Sequence, residues 1–382
     1  MEKERQTDDE ELKMTLQPRM LLILAVGILI LAVVVLYQQT NRHYSSYRDV
    51  RTTSLVLTEN TQALRLGDSM LIYSGDGIRC MNSNGKEIWN ISFQIQNVCI
   101  DVSGSYAAVA DYGGNTIYIV NEEGLQGEIT TGYQLRTLCV SQQGTVGVVL
   151  DDDDVYWVYI YEVDGTEIAH ARTTMEQSGY PIDLALSPNG KLLAISYLYL
   201  DVGTVSSTVA FYNLGEVGQN YSDNYVSGYN YDEIVARVEF LSNSVAAAVS
   251  DGSIMFYEGS EKPVLSQTNL LSDEISAVFW GDDCVALVFD AASGESDYLL
   301  RLYDTDGSLA LETSFALDYT DIQIESGVIT IYNNTECLVM TTDGRERYSG
   351  NLGGTVLFMS PTSKKYRYNV LLENEFKVVE LE

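Results

Sequence analysis

Residues 181–215 read PIDLALSPNGKLLAISYLYLDVGTVSSTVAFYNLG, and their pattern decides the fold. An apolar strand, Asp183–Leu186, runs into a tight Ser187-Pro188-Asn189-Gly190 turn. A second apolar strand, Leu192–Ile195, follows, then a polar hairpin, a third strand at Val209–Tyr212 and another glycine turn at Gly215. The strands are short unbroken apolar runs rather than alternating ones, the mark of strands covered on both faces.

Working outward, seven variants of this unit occur elsewhere. Inner strands are predicted at Ala63–Leu66, Val98–Val102, Thr137–Val140, Val238–Leu241, Ala277–Trp280, Ile322–Ile324 and Val356–Met359. Each is followed by a turn and two further strands, and in seven of the eight units the third strand meets a glycine turn: Gly85, Gly124, Gly165, Gly215, Gly259, Gly307 and Gly344. Asn, Asp or Glu before several of these glycines suits the positive φ of a hairpin turn. The eighth unit reaches Glu382 without such a turn or a fourth strand, while an orphan strand, Ser54–Thr58, precedes the first unit. Ring closure resolves both: the N-terminal strand supplies the outer edge of the last blade. Residues 52–382 divided by eight give about 41 per unit, the length of a propeller blade, against about 47 for seven. The expectation is an all-β, eight-bladed β-propeller, with seven blades as the alternative.

The composition agrees. A 46% hydrophobic fraction with 30 Gly, 27 Tyr and only 5 Pro suits an all-β core with many tight turns. The net charge of −32 repels nucleic acid and anionic lipid, and favours basic partners or cations. Cys80, Cys99, Cys139, Cys284 and Cys337 lie in or beside apolar strands with no CxxC spacing, so they read as buried free thiols; a Cys80–Cys99 bridge is the alternative.

Ahead of the repeats, residues 1–19 form a charged tail and Met20–Tyr37 an uncharged apolar run. Eighteen residues of helix span roughly 27 Å, enough for a bilayer core. No A-x-A-like site follows, which favours an uncleaved single-pass anchor in the cell membrane over a signal peptide. Basic residues flank both ends, so the positive-inside rule leaves orientation open. A short tail before a large β domain is the usual form of a chain whose C-terminal domain is extracytoplasmic. Residues 38–51 read as linker and 52–382 as the propeller.

Two segments carry a resemblance. Asn82-Ser83-Asn84-Gly85-Lys86-Glu87-Ile88-Trp89 is similar to the D-x-x-G-x-x-x-W end of a quinoprotein-type repeat, one residue shorter, and Thr342–Tyr348 echoes it. The chain therefore resembles quinoprotein-like and WD40-like propellers, and as a whole resembles uncharacterised bacterial proteins with one anchor helix and an extracytoplasmic propeller. That resemblance implies a fold, and no cofactor.

Catalytic patterns are thin. His43 precedes the propeller and His170 lies near an outer strand, with no nucleophile elbow beside them. Paired carboxylates could hydrolyse glycosides, so a carbohydrate-active or quinoprotein-like enzyme stands as the alternative to a non-catalytic module. Asp151, Asp152, Asp153 and Asp154, and the turn Asp304–Ser308, offer hard oxygens that could hold calcium; a solvated tip and a hairpin turn explain them as well.

Variable connections fall at 151–154, 173–180, 200–207, 216–232 and 290–297, and all are expected on one rim. Tyr221, Tyr225, Tyr229 and Tyr231, set among Ser, Asn, Gly and Asp, have the composition of a binding surface. With Asp151–Asp154 and Asp290 they form the candidate partner site. The expected partner is an envelope protein or glycan, with the lipid bilayer met through residues 20–37 and no nucleic acid.

Overall fold

The computed structural model describes residues 25–32, 42–153, 155–174, 178–201, 203–291 and 297–382. Two compact units are present, residues 1–43 and 44–382. In the first, residues 25–32 are helical, and the remainder of the expected 20–37 span lies outside the described residues. Among the described residues no helix is long and apolar enough to cross a membrane.

The second unit is an eight-bladed propeller: eight four-stranded antiparallel sheets, each filled in chain order from an inner to an outer strand. The exception is the last. Its inner three strands are Val356–Pro361, Arg367–Leu372 and Glu375–Leu381, and its outer edge is Tyr47–Ser54 from the start of the unit. The closing strand thus ends where Ser54–Thr58 was expected to begin, and its first five residues, 47–51, fall in the stretch read as linker. The cause is visible in its composition: YRDVRTTS is mostly exposed, so it lacks the apolar run that marks a covered strand. An outer strand needs only backbone pairing and charge matching. Arg48 bonds Glu380 at 2.9 Å, and Lys377 pairs with Asp49 at 3.5 Å.

The core is a ring of eight buried clusters, one at each junction between neighbouring blades. Second strands rich in alanine, such as Ala107, Ala108 and Ala110, and Ala246–Ala248, let adjacent sheets approach closely. Four of the five cysteines are buried and all five are free; burial pushes the thiols of Cys80 and Cys99 up to about 11. Third-to-outer pairings carry a register shift beside the connecting turn in seven blades, as between Cys80 and Met81. Such bulges add local twist, which splays each outer strand away from the axis.

Side chains stitch one blade to the next. The Trp89 indole donates to the carbonyls of Asn121 and Glu122, both at 3.1 Å, so the residue behind the quinoprotein-type motif is an inter-blade dock. Asp101 accepts from the Val140 amide at 2.7 Å, and Asp183 accepts from the Val238 amide at 2.8 Å. At the seam, Arg65 of the first blade reaches past the eighth to Glu325 of the seventh, 3.0 Å away.

Candidate functional site

Because strands alternate in direction, the connections divide between two rims. First-to-second and third-to-outer turns emerge on one, here the turn rim. Second-to-third hairpins and blade-to-blade links emerge on the other, the variable rim. Among the described residues the variable-rim connections contain eleven Asp or Glu and no Lys or Arg. Those of the turn rim contain twelve acids but also six cations, Lys86, Lys191, Lys262, Arg345, Lys364 and Lys365. The negative field is therefore concentrated on one face.

That face also exposes apolar side chains: Val56 at 87%, Leu270 at 86%, Leu200 at 60% and Tyr112 at 50%. Between the second and fourth blades it carries a polar–aromatic cluster. Arg136 lies 5.2 Å from the Tyr112 ring centroid, donates to its hydroxyl at 3.0 Å, and bonds Asp151 through Nε at 2.7 Å. Tyr156 and Tyr180 meet edge to face at 4.6 Å, and Tyr133 stacks on Trp157 at 6.2 Å. On the sixth blade, Tyr298 donates to Asp318 at 3.0 Å and packs on Tyr319 at 5.0 Å.

The candidate residues fall into three groups. Asp151 and Asp152 are strand residues rather than a solvated tip: Asp151 holds Arg136, and Asp152 accepts from the Trp157 indole at 3.3 Å. Asp153 makes the hairpin turn with φ +56°, and Asp154 lies outside the described residues. Asp290, also on the variable rim, accepts from Ser276 at 2.9 Å.

The tyrosines sit elsewhere. Residues 225–231 are the outer strand of the fourth blade, not an inter-blade link, so the insertion ahead of them, 214–224, is a third-to-outer connection on the turn rim. Tyr221 and Tyr225 are exposed on that opposite rim. Tyr229 and Tyr231 pack against the core between the fourth and fifth blades, with hydroxyls bonded to the Pro263 carbonyl at 3.2 Å and to Tyr257 at 2.6 Å. The expected single site is divided. Two short 3-10 turns, Gly218–Asn220 and Ser222–Asn224, break the segment and disguise the start of the strand.

Arg136, Tyr112, Tyr156 and Tyr180 were not legible as a site. Each lies at a strand end or hairpin on a different strand, and only the blade stacking brings them together. The one available signal was an arginine opening an inner strand beside an acidic hairpin.

The channel wall between these blades is acidic. Asp101, Asp183 and Glu239 project from inner strands, faced by Arg237, which lies 3.4 Å from Asp183. Burial raises all three carboxyl pKa values; repulsion from neighbouring carboxylates adds to the shift at Asp101 and Glu239, while Arg237 and backbone donors oppose it at all three. Asp306 accepts from its own turn at Ser308, 2.8 Å away, within the loop considered for calcium. Among the described residues no group of three or more acidic, His or Cys ligands is placed to hold a metal ion.

Radial four-stranded blades, with the connections sorted onto two rims, define an eight-bladed β-propeller. Within that class the chain belongs to DUF5711, a family of unknown function, whose profile matches residues 40–381. Its fold is similar to that of BamB from Moraxella catarrhalis, with a TM-score of 0.52 at 11% identity, covering 88% of this chain and 100% of the other. It is also similar to a eukaryotic initiation factor structure, with a TM-score of 0.51 at 12% identity, covering 85% and 87%. No curated protein matches the chain in sequence.

Proposed function

We propose that this chain is a non-catalytic docking module, anchored in the cell membrane through residues 20–37, whose propeller faces outside and binds an envelope protein through the variable rim. The observation that carries the reading is the coincidence, on one face, of acidic connections that contain no Lys or Arg among the described residues with exposed Val56, Leu200 and Leu270. Apart from Asp273, which pairs with Arg301, and Asp151, which holds Arg136, these carboxylates draw in a basic partner and set its orientation, and apolar and aromatic groups supply the desolvated centre of an interface. The partner surface that fits is therefore basic with apolar anchors. Anionic lipid and nucleic acid do not fit.

Photo-crosslinking probes placed at Leu200 and Leu270, with one at Asn189 on the turn rim, test this in intact membranes. The expected result is one specific protein adduct from both rim positions, weakened at high salt. Adducts from Asn189 alone would refute the docking face. Protease added to intact cells should digest the propeller; protection until lysis would reverse the orientation.

A further inference from the structure

The chain enters the propeller on the turn rim. Tyr47 opens the outer strand of the eighth blade opposite Leu381, which closes the third strand, and third strands end on that rim. The propeller unit begins just before, at Tyr44, which is 4% exposed. Its amide donates to the Arg347 carbonyl at 2.7 Å, and its ring lies 5.1 Å from that of Tyr366, in the turn that carries Lys364 and Lys365. The point of entry is thus fixed beside those two lysines.

Charge is sorted around the same point. Four of the turn rim's six cations, Lys86, Arg345, Lys364 and Lys365, lie on the seventh, eighth and first blades, which are consecutive around the ring, and all four are exposed. The turn-rim connections of those blades hold only two acids, Asp68 and Asp343, leaving ten acids and two cations to the other five blades. Asp343 pairs with Arg345 at 3.1 Å, and Glu382, where the chain ends, pairs with Arg48 at 2.8 Å. Lys86, Lys364 and Lys365 have no carboxylate partner among the described residues. Six residues, 38–43, separate Tyr44 from the apolar run Met20–Tyr37, and six residues reach at most about 21 Å when fully extended. A bilayer that holds the run therefore lies within that distance of the basic arc. The net charge of −32 opposes an anionic surface, but salt confines that field to about 8 Å. Strands of six residues are about 20 Å long, so the acidic variable rim stands outside that range when the turn rim touches.

We propose that the arc of the turn rim around Lys86, Lys364 and Lys365 rests on the phosphate-bearing headgroup surface of the membrane, with the variable rim turned away from the bilayer toward its partner. This rests on the reading of residues 20–37 as an anchor and adds to it which face meets the lipid. Lysine ammonium groups on flexible stems suit a plane of phosphates, because they attract charge without demanding a fixed geometry. The short tether supplies a high local concentration, so the contact needs little affinity of its own.

The test uses the full chain reconstituted into phosphatidylcholine vesicles with and without phosphatidylglycerol. A donor dye is placed at Ser363→Cys on the turn rim or at Val56→Cys on the variable rim of the same sector, in a Cys99→Ala background because Cys99 is the one native thiol that is only half-buried. Energy transfer to a headgroup-labelled lipid reads the distance of each rim from the surface. Transfer from position 363 should exceed that from position 56 at least about twofold, given rims about 20 Å apart. Phosphatidylglycerol should widen the difference and high salt should reverse that gain. Replacing Lys86, Lys364 and Lys365 together by Glu should abolish the phosphatidylglycerol gain while the chain still floats with the vesicles. Should that variant fold poorly, the Gln versions carry the same test. Equal transfer from both rims, or stronger transfer from position 56, in a chain that floats would overturn the contact and leave the anchor standing. A phosphatidylglycerol gain that survives charge removal would take the contact away from these lysines. A chain that does not float with the vesicles would overturn the anchor and the contact together.

Discussion

Replacing Gly85 with Ala tests the ring closure at a single atom. Gly85 sits in the first blade's Asn82–Lys86 turn with φ +69°, and a Cβ there would lie 2.5 and 2.9 Å from Phe376 ring carbons and 3.1 Å from Thr53 Oγ1. Phe376 is fully buried in the cluster joining the first and eighth blades. Two separate costs follow. The left-handed conformation costs an alanine roughly 1–2 kcal/mol. Forcing a methyl group into a packed interior costs about 1–3 kcal/mol more. Gly85→Ala should therefore destabilise by about 2–5 kcal/mol. Phe376→Val removes the ring that the methyl group strikes, at an expense of about 2–4 kcal/mol on its own. In that background the methyl group has room, and Gly85→Ala should retain only its backbone cost. Urea titrations of the four proteins, followed by tryptophan fluorescence, give the coupling, expected at about 1–3 kcal/mol. Additivity within about 0.5 kcal/mol would mean that the turn and Phe376 are not in contact and that the seam is built differently.

Three further outcomes are expected. Trp89→Phe keeps the ring but loses the donor to Asn121 and Glu122, and should cost about 1 kcal/mol against about 3–5 for Trp89→Ala; equal losses would deny the indole its docking role. Glu239 binds its proton more tightly folded than unfolded, so its stabilisation is complete below the ordinary value of 4.5 and is lost as pH rises through the raised folded value. Glu239→Gln should flatten the fall in stability between mildly acidic and mildly alkaline pH, and an unchanged slope would remove the channel acids as its cause. The four buried thiols should resist a disulfide reagent until the protein unfolds; rapid labelling of Cys80 or Cys139 in the native state would contradict their burial.

The blade count was legible because it rests on features that are local in the chain. Each inner and second strand is covered on both sides, so its apolar run and its turn stand next to each other, as in Asp183–Ile195. Outer strands were harder to place. Tyr47–Ser54 and Tyr225–Tyr231 are covered on at most one face, and their sequences carry no apolar run to mark them. Misplacing the second of these moved Tyr221 and Tyr225 to the wrong rim. The cluster around Arg136 was beyond reach for another reason: its members meet only after neighbouring blades stack, and nothing local in the chain records that packing.

The pairing of Arg48 with Glu380 joins positions 332 residues apart in the chain. At the usual pace of synthesis the ribosome takes roughly 15–65 s to cover that distance. Throughout that interval the strand that will close the ring has been made and its partner has not. An unpaired strand on a nascent chain is a template for mispairing with other edges or other copies. The charges that hid it from sequence analysis, Arg48, Asp49 and Arg51, serve it here: they make it a poor partner for any apolar edge and a good one for the strand that carries Lys377 and Glu380. Completion of the ring is thereby tied to synthesis of Glu375–Leu381, and a chain released before them would keep seven blades and an open seam.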